Sequence, residues 1–181
     1  MNKKASGEPQ KTKNRSEKSK MTNYWIFKVK DEEGGLYGRK AMDIFLHRTK
    51  EGFWGIRELD ENGKHETNAP LLKKGDCALF YLVSKSSSRF IGSCVLDSDF
   101  LKLDAEQAKN IIHREFIDPD QGVFIKNVDR WAKTLSVDSL RDGSPSANRS
   151  SKFGSFFQGS IKKIKNTNDY QAIINAHKQV Q

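Results

Sequence analysis

Aromatic side chains with polar neighbours are the residues of this sequence best suited to chemistry with a flat ligand. Three tryptophans each fall in or beside a predicted strand, and a tyrosine and two phenylalanines hold similar positions. Aromatic faces stack on nucleic-acid bases, which is worth ~1–3 kcal/mol per base, and two or three rings together can select a methylated group. The alternative is that the tryptophans belong to the core. The six residues are Trp25, Trp54, Tyr81, Trp131, Phe156 and Phe157.

Trp54 has distinctive neighbours, because Gly55 follows it directly and Arg57 lies close behind. A glycine beside a tryptophan lets either a planar ligand or another stretch of backbone approach closely. Both interpretations of Gly55 are open at the level of sequence.

No arrangement typical of an enzyme is present. The sequence has no glycine-rich phosphate loop, HExxH, GxSxG or Cys-x-x-Cys pair. His47, His113 and His177 are predicted at helix surfaces or boundaries, not in a triad or a metal site. Asp97 and Asp99 follow a strand end and suit a metal ion, although short acidic turns more often lack this role. We therefore expect no catalytic residue, no metal and no cofactor.

Charge indicates the kind of partner. The 181 residues carry a formal net charge of +9. Residues 1–20 contain seven basic and two acidic residues, so a charge of +4 remains for the rest of the chain. An excess that persists beyond a tail favours a polyanionic partner such as nucleic acid. The alternative is a charge that only keeps the protein soluble.

Composition divides the chain into a tail and one domain. Residues 1–20 contain no Leu, Ile, Val or aromatic residue, which predicts a disordered basic tail over 1–21 and a single domain over 22–181. No apolar run approaches the ~18 residues of a membrane helix. The start of the sequence also lacks the apolar region of a secretory signal. We expect a cytoplasmic protein without a membrane partner.

The elements that must position these residues centre on a predicted hairpin. Two apolar runs, Cys77–Val83 and Phe90–Leu96, flank the polar connection Ser84–Arg89 and predict paired antiparallel strands. The turn Lys73–Asp76 leads into the first strand. The only two cysteines fall on these strands, and we expect them to be free thiols.

Further strands and helices surround the hairpin. Strands are predicted at 24–30, 53–59, 123–128 and 131–137, and helices at 39–48, after Asp104 and after Asn168. Met42, Phe45 and Leu46 are predicted to form the buried face of the first helix. Residues 141–152 predict a mobile loop. The fold class predicted is α+β, a compact, partly open β-barrel flanked by two to three helices.

Several of these segments occur together and in this order in one family. The chain resembles the EVE domain of the PUA-like superfamily over residues 22–174, and it is also similar to the related YTH domain. The resemblance implies a PUA-like barrel and a modified base flipped or splayed into an aromatic-walled pocket. Relatives bind modified DNA, or N6-methyladenine in RNA. The matching segments are YWIFKVK, FWGI, KKGDCALFYLV, RFIGSCVL, GVFIKNVDRW, FGSFFQGSIKKI and DYQAII.

The resemblance also implies base-binding residues and partners. It implies a pocket with a wall, a floor, a second wall and an opening. The partner is nucleic acid carrying a modified base, with a separate nuclease or modification enzyme as a further partner. Gly55, Ile56 and Arg57 replace the acidic or Asn residues that often follow the tryptophan in bacterial members. The resemblance implies Trp54 as one wall of the pocket, Trp25 near its floor, and Trp131 or Phe156 as the second wall. Tyr81 and the turn that begins at Ser84 would edge the opening.

Affinity and selectivity are assigned to different residues. Burial of one methyl contributes on the order of 1 kcal/mol, so strong discrimination also needs hydrogen bonds to the base edge. Tyr81, Ser84, Asn127 and the backbone of Lys73–Asp76 are the candidates for these bonds. Basic residues would contact phosphates without reading sequence. They are Lys73, Lys74, Lys85, Arg89, Arg130 and Arg149.

Three hypotheses follow. The leading one is a non-enzymatic nucleic-acid-binding module that recognises a modified, methylated base, for which Trp54→Ala should remove the preference and leave the fold intact. The second is a PUA-type RNA-binding domain that recognises shape without a modified base. The third is an enzyme acting on nucleotides or on a small molecule.

Overall fold

The computed structural model describes residues 21–32, 38–57, 68–83, 88–112, 119–137, 140 and 160–181. Almost all of the predicted basic tail lies outside these residues. The predicted mobile loop at 141–152 and most of the polar connection after Val83 lie outside them as well.

Seven strands and three α-helices are present in the described parts of the chain. The strands are β1 Tyr24–Lys30, β2 Phe53–Gly55, β3 Cys77–Val83, β4 Arg89–Leu96, β5 Leu101–Lys102, β6 Gln121–Ser136 and β7 Ile161–Ile164. The helices are α1 Ala41–Glu51, α2 Ala105–Ile111 and α3 Thr167–Val180, and a 3-10 turn spans Ala69–Leu71. None of these helices is both long enough and apolar enough to cross a membrane.

The strands join in one strongly curled sheet that forms half a barrel. Their order is β2-β6-β4-β3-β1-β7, with β5 beside β6. β3 and β4 pair antiparallel, which confirms the predicted hairpin, while β1 pairs with β3 in parallel. With the helices packed around this sheet, the predicted α+β class and the partly open barrel flanked by helices are confirmed.

The two faces of the sheet bury separate cores, because successive side chains of a strand point to opposite faces. On β1, Trp25, Phe27 and Val29 belong to a core that also contains Ile44 and other residues of α1. Ile26 belongs to a second core, together with Ile173 of α3 and Trp131 of β6. We call these the α1 core and the α3 core. Every buried aromatic residue considered below belongs to one or the other.

β6 runs unbroken for 16 residues, so the prediction of two separate strands was wrong. Its pairing with β4 shifts register twice, once between Phe90 and Gly92 and once between Ser93 and Val95. Asn127 has a φ of 49°, a left-handed conformation that Asn tolerates better than most residues. The strand therefore bends through bulges without ending. These bulges interrupt the alternation of buried and exposed residues, which is why the sequence suggested a break.

The helices are largely as predicted, with two corrections. α1 buries Ile44 and Phe45 but leaves Leu46 42% exposed, so its predicted buried face was rotated. α2 has the predicted capping box, in which the carboxylate of Asp104 accepts from the backbone N–H of Gln107. α3 begins earlier than predicted, because Asn166 and not Asn168 is its N-cap.

Candidate nucleic-acid interface

Trp54 lies in the α1 core and is only 2% exposed. Its ring stacks on Phe27, with centroids 5.6 Å apart, and tilts against Phe80 at 4.8 Å. The guanidinium carbon of Arg48, on α1, lies 5.3 Å from the centroid of the Trp54 ring. Arg48 is half-buried, so of these three neighbours it is the one that reaches the surface.

Gly55 admits another stretch of backbone beside Trp54. It pairs with Gly122 of β6, and a Cβ on Gly55 would lie 3.2 Å from the carbonyl oxygen of Pro119. A Cβ on Gly122 would overlap the carbonyl oxygen of Trp54. Of the two interpretations of this glycine, close approach of backbone is therefore the one seen among the described residues.

Trp25 is fully buried in the same core, and its polar atom is already engaged. The indole Nε1 donates to Oδ2 of Asp76 at 2.8 Å. The Asp76 carboxylate also accepts from the backbone N–H groups of Asn23 at 3.0 Å and Lys73 at 3.2 Å. Asp76 therefore ties the start of β1 to the turn before β3.

Tyr81 and Trp131 lie in the α3 core, each 5% exposed. Tyr81 packs on Phe90 with centroids 5.1 Å apart. Trp131 stacks on His177 at 3.9 Å, and its Nε1 donates to Asp129 at 3.0 Å. The prediction that His177 lies at a helix surface or boundary was wrong, because α3 turns this residue onto the Trp131 ring and leaves it 3% exposed.

The structure brings the predicted base-binding residues together in two pairs, not in one set. Trp25 and Trp54 share the α1 core, whereas Tyr81 and Trp131 share the α3 core on the other face of the sheet. Asn127 is exposed at the bend of β6. The predicted contacts that lie outside the described residues are Ser84, Lys85, Arg149 and Phe156.

The predicted phosphate contacts in the turn before β3 are paired with exposed carboxylates. The Nζ atom of Lys73 lies 2.9 Å from Asp99, and that of Lys74 lies 3.3 Å from Asp97. Lys126 of β6 also reaches Asp97, at 2.7 Å. Hydrogen bonds from Lys126 and then Lys74 lower the pKa of Asp97, so this carboxylate is ionised at neutral pH. A phosphate group would have to compete with it.

The other described phosphate candidates lie on adjacent strands. Arg130 is exposed on β6 and is paired with Gly92 of β4. Arg89 is half-buried at the start of β4, opposite Ser136 of β6. Both cations therefore belong to the part of the sheet beyond the bend of β6.

Asp97→Asn is expected to strengthen binding of an unmodified oligonucleotide several-fold at low salt. The substitution removes the carboxylate that competes with phosphate for Lys74 and Lys126. Fluorescence anisotropy of a labelled strand measures the effect. Glu106→Gln, an exposed carboxylate on α2, is the matched control. An equal gain in both variants would show that only net charge changed and would contradict the assignment of these lysines.

Sequence reasoning missed a charged cluster where β1 ends. Oε2 of Glu32 accepts from Nε and Nη2 of Arg39 at 3.2 and 2.9 Å, and Oε1 accepts from Nη2 of Arg57 at 3.0 Å. Arg39 is only 7% exposed, which is unusual for arginine. These bonds join residues 7 and 25 positions apart, so no local spacing could have revealed them.

Neither cysteine is an activated nucleophile. Burial raises the pKa of the Cys77 thiol and of the Cys94 thiol, so both are protonated at neutral pH. Burial likewise raises the pKa of Tyr170, which hydrogen-bonds to Cys77. Within the described residues, no group of three or more His, Cys, Asp or Glu side chains is placed to hold a metal ion.

Comparison with known proteins identifies the fold. No protein-family model and no curated protein matches this sequence. A hypothetical protein from Leishmania major matches with a TM-score of 0.59 and 16% identity, over 89% of this chain and 98% of that one. Human THYN1, solved in complex with 5-methylcytosine-containing DNA, matches with a TM-score of 0.53 and 15% identity, over 86% and 98%. The DUF55 domain of human thymocyte nuclear protein 1 matches with a TM-score of 0.51 and 11% identity, over 85% and 98%.

These likenesses confirm the EVE-type, PUA-like fold that the sequence motifs predicted. They span nearly the full length of each solved chain. At such low identity they establish the architecture and leave ligand and site to be argued from this chain's own residues.

Proposed function

We propose that this protein is a non-enzymatic module that binds nucleic acid and recognises a modified base, most simply a methylated one. The observation that carries the proposal is the fold shared with human THYN1, which was solved with 5-methylcytosine-containing DNA. The net charge of +9 supports a polyanionic partner. The cluster of aromatic rings in the α1 core supports a flat guest.

In this proposal the base stacks on Trp54. The ring is 2% exposed, so it must be uncovered before a base can reach it. Arg48 lies over the ring with a flat guanidinium and is half-buried, which makes it the side chain best placed to move aside. Exchange of an arginine–ring contact for a base–ring contact conserves much of the stacking energy. Displacement of Arg48 is therefore the proposed opening step.

The other predicted contacts take different places in the proposal. Trp25 shares the α1 core with Trp54 and lines the floor of the proposed base pocket. Its indole N–H donates to the Asp76 carboxylate. Tyr81 and Trp131, on the opposite face of the sheet, support the strands that carry the site. Contacts with the rim and with phosphates are proposed for Ser84, Phe156, Asn127, Lys73, Lys74, Lys85, Arg89, Arg130 and Arg149.

Oligonucleotides that carry one class of modified base are expected to bind about fivefold more tightly than matched plain strands. A buried methyl supplies on the order of 1 kcal/mol, which gives this ratio, and a hydrogen bond to the base edge that both strands make raises both affinities without changing the ratio. The full-length chain is titrated with labelled DNA and RNA strands that differ at one position. That position holds 5-methylcytosine, N6-methyladenine or the unmodified base, and anisotropy gives each Kd.

The covered ring of Trp54 favours a second candidate function, RNA binding by shape without a modified base. The same titration separates the two when an unmodified structured RNA is added as competitor. A structured RNA that displaces every strand equally well supports the second candidate. Equal affinity within every modified and plain pair would end the proposal of a base reader.

A further inference from the structure

We propose that Arg57 contacts a phosphate group of the bound strand and that Glu32, fixed by Arg39, holds Arg57 in place for this contact. The proposal rests on the proposed function in that the ligand is a nucleic-acid strand. It goes beyond that function in naming a phosphate site that is separate from the base pocket. Its basis is an ion-pair cluster in which one carboxylate serves a buried and an exposed arginine.

The buried half of the cluster fixes the carboxylate. Glu32 and Arg39 face each other across an antiparallel bridge, and the backbone N–H of Glu32 donates to the carbonyl oxygen of Arg39 at 2.9 Å. Two N–H groups of Arg39 bind the same oxygen of Glu32, at 2.9 and 3.2 Å. With Arg39 7% exposed and Glu32 23% exposed, this pair has little freedom to rearrange. The second oxygen of Glu32 therefore has a defined position.

The exposed half of the cluster presents the donor. Nη2 of Arg57 binds the second oxygen of Glu32 at 3.0 Å, while the Arg57 side chain remains 60% exposed. Among the described residues, Glu32 is the partner of this guanidinium, and the outward edge of the fork faces solvent. A planar fork with two free N–H groups matches the geometry of phosphate oxygens better than a lysine does.

The exposure of the paired groups favours an anion at Arg57 more than at the turn before β3. Arg57 is 60% exposed, whereas the Glu32 carboxylate that holds it is only 23% exposed and is engaged by Arg39 through its other oxygen. At the turn, Asp97 and Asp99 offset the lysines. Arg57 lies three residues after Trp54, so at most about 11 Å of chain separates their Cα atoms. A strand whose base stacks on Trp54 therefore has backbone within reach of Arg57.

The test compares salt dependence with base preference in the full-length chain. Arg57→Ala is expected to weaken binding of labelled plain DNA and plain RNA roughly tenfold at low salt. It should also reduce the slope of log K against log salt by about 0.7–0.9, the value for one lost phosphate contact. The ratio between modified and plain strands should stay the same. Arg57→Lys should restore the slope but only part of the affinity.

Two carboxylate substitutions are expected to change the affinity for a plain strand in opposite directions. Glu32→Gln removes a negative charge, so a purely electrostatic effect would tighten binding, whereas loss of Arg57 positioning weakens it. Asp97→Asn removes a negative charge that only competes, and it should tighten binding. Lys178→Ala, on α3 and on the other face of the sheet, is the control for loss of one exposed cation and should leave the salt slope unchanged.

Specific outcomes overturn the inference. If Arg57→Ala changed the ratio of affinities for modified and plain strands and left the salt slope unchanged, Arg57 would contact a base and not a phosphate. If Glu32→Gln bound plain strands more tightly and kept the wild-type circular dichroism spectrum, the proposed positioning of Arg57 by Glu32 would be wrong. The salt slope of Arg57→Ala and the affinity of Glu32→Gln are measured on plain strands, so these two results remain decisive even if the wild type shows no preference for modified bases.

Discussion

Trp54→Ala is expected to lower the free energy of unfolding by about 3–5 kcal/mol, the usual cost of removing a buried aromatic ring. The reason is the place of the ring in the α1 core, 2% exposed and packed against Phe27 and Phe80. The sequence suggested that this substitution would spare the fold, and the burial of Trp54 does not support that expectation. Denaturant unfolding followed by far-ultraviolet circular dichroism measures the loss.

The control for this experiment is Leu46→Ala, which removes a large side chain that is 42% exposed on α1. That variant is expected to stay within ~0.5 kcal/mol of the wild type. If Trp54→Ala unfolded at the same denaturant concentration as Leu46→Ala, the ring would not contribute to the core. Because Trp54→Ala perturbs the fold, the binding role of this residue is better tested with Trp54→Phe, which keeps a ring able to stack.

The strands that could be predicted from the sequence are those with strong local patterns. β1 ends in alternation of apolar residues with lysines, β3 and β4 are predominantly apolar runs, and the bounds of all three were predicted within one residue. The capping box of α2 was equally readable, since it depends on two residues three positions apart. The bulges of β6 were not readable, because they depend on register with β4 and not on composition.

The arrangement of the candidate site was less predictable, because it depends on pairing between distant segments. The parallel pairing of β1 with β3 sets Trp25 beside Ala78. No tight turn joins the two strands, so no local sequence pattern predicts this pairing. Alternation along β3 then places Phe80 in the α1 core and Tyr81 in the α3 core. Aromatic residues next to each other in sequence are thus divided between two faces, which a reading of spacing alone could not assign.

The same long-range pairing leads to a second large effect, at Asp76. Asp76→Ala is expected to destabilise the fold by about 3 kcal/mol or more, because the indole N–H of Trp25 and the backbone N–H of Lys73 lose their acceptor inside the protein. The buried indole N–H left without an acceptor costs ~1–3 kcal/mol, and the part-buried backbone N–H of Lys73 adds to this loss. The midpoint of guanidinium unfolding measures this loss.

Asp99→Ala is the matched control, because Asp99 lies close to the same turn and also binds a lysine and a backbone N–H. Its side chain is 53% exposed, so its removal is expected to cost no more than about 1 kcal/mol. Equal losses in the two variants would contradict the anchoring role of Asp76.

A double-mutant cycle isolates the hydrogen bond between Trp25 of β1 and Asp76, the residue that precedes β3. Trp25→Phe keeps most of the buried ring and removes the Nε1 donor that Asp76 accepts from at 2.8 Å. Losses from Trp25→Phe and Asp76→Ala should therefore fall short of additivity by roughly 1–2 kcal/mol. Strict additivity would mean that the bond contributes nothing and that the β1–β3 pairing is held by apolar packing alone. Coupling of the expected size would instead show that one buried carboxylate fixes the register in which Trp25 and Trp54 come to share the α1 core.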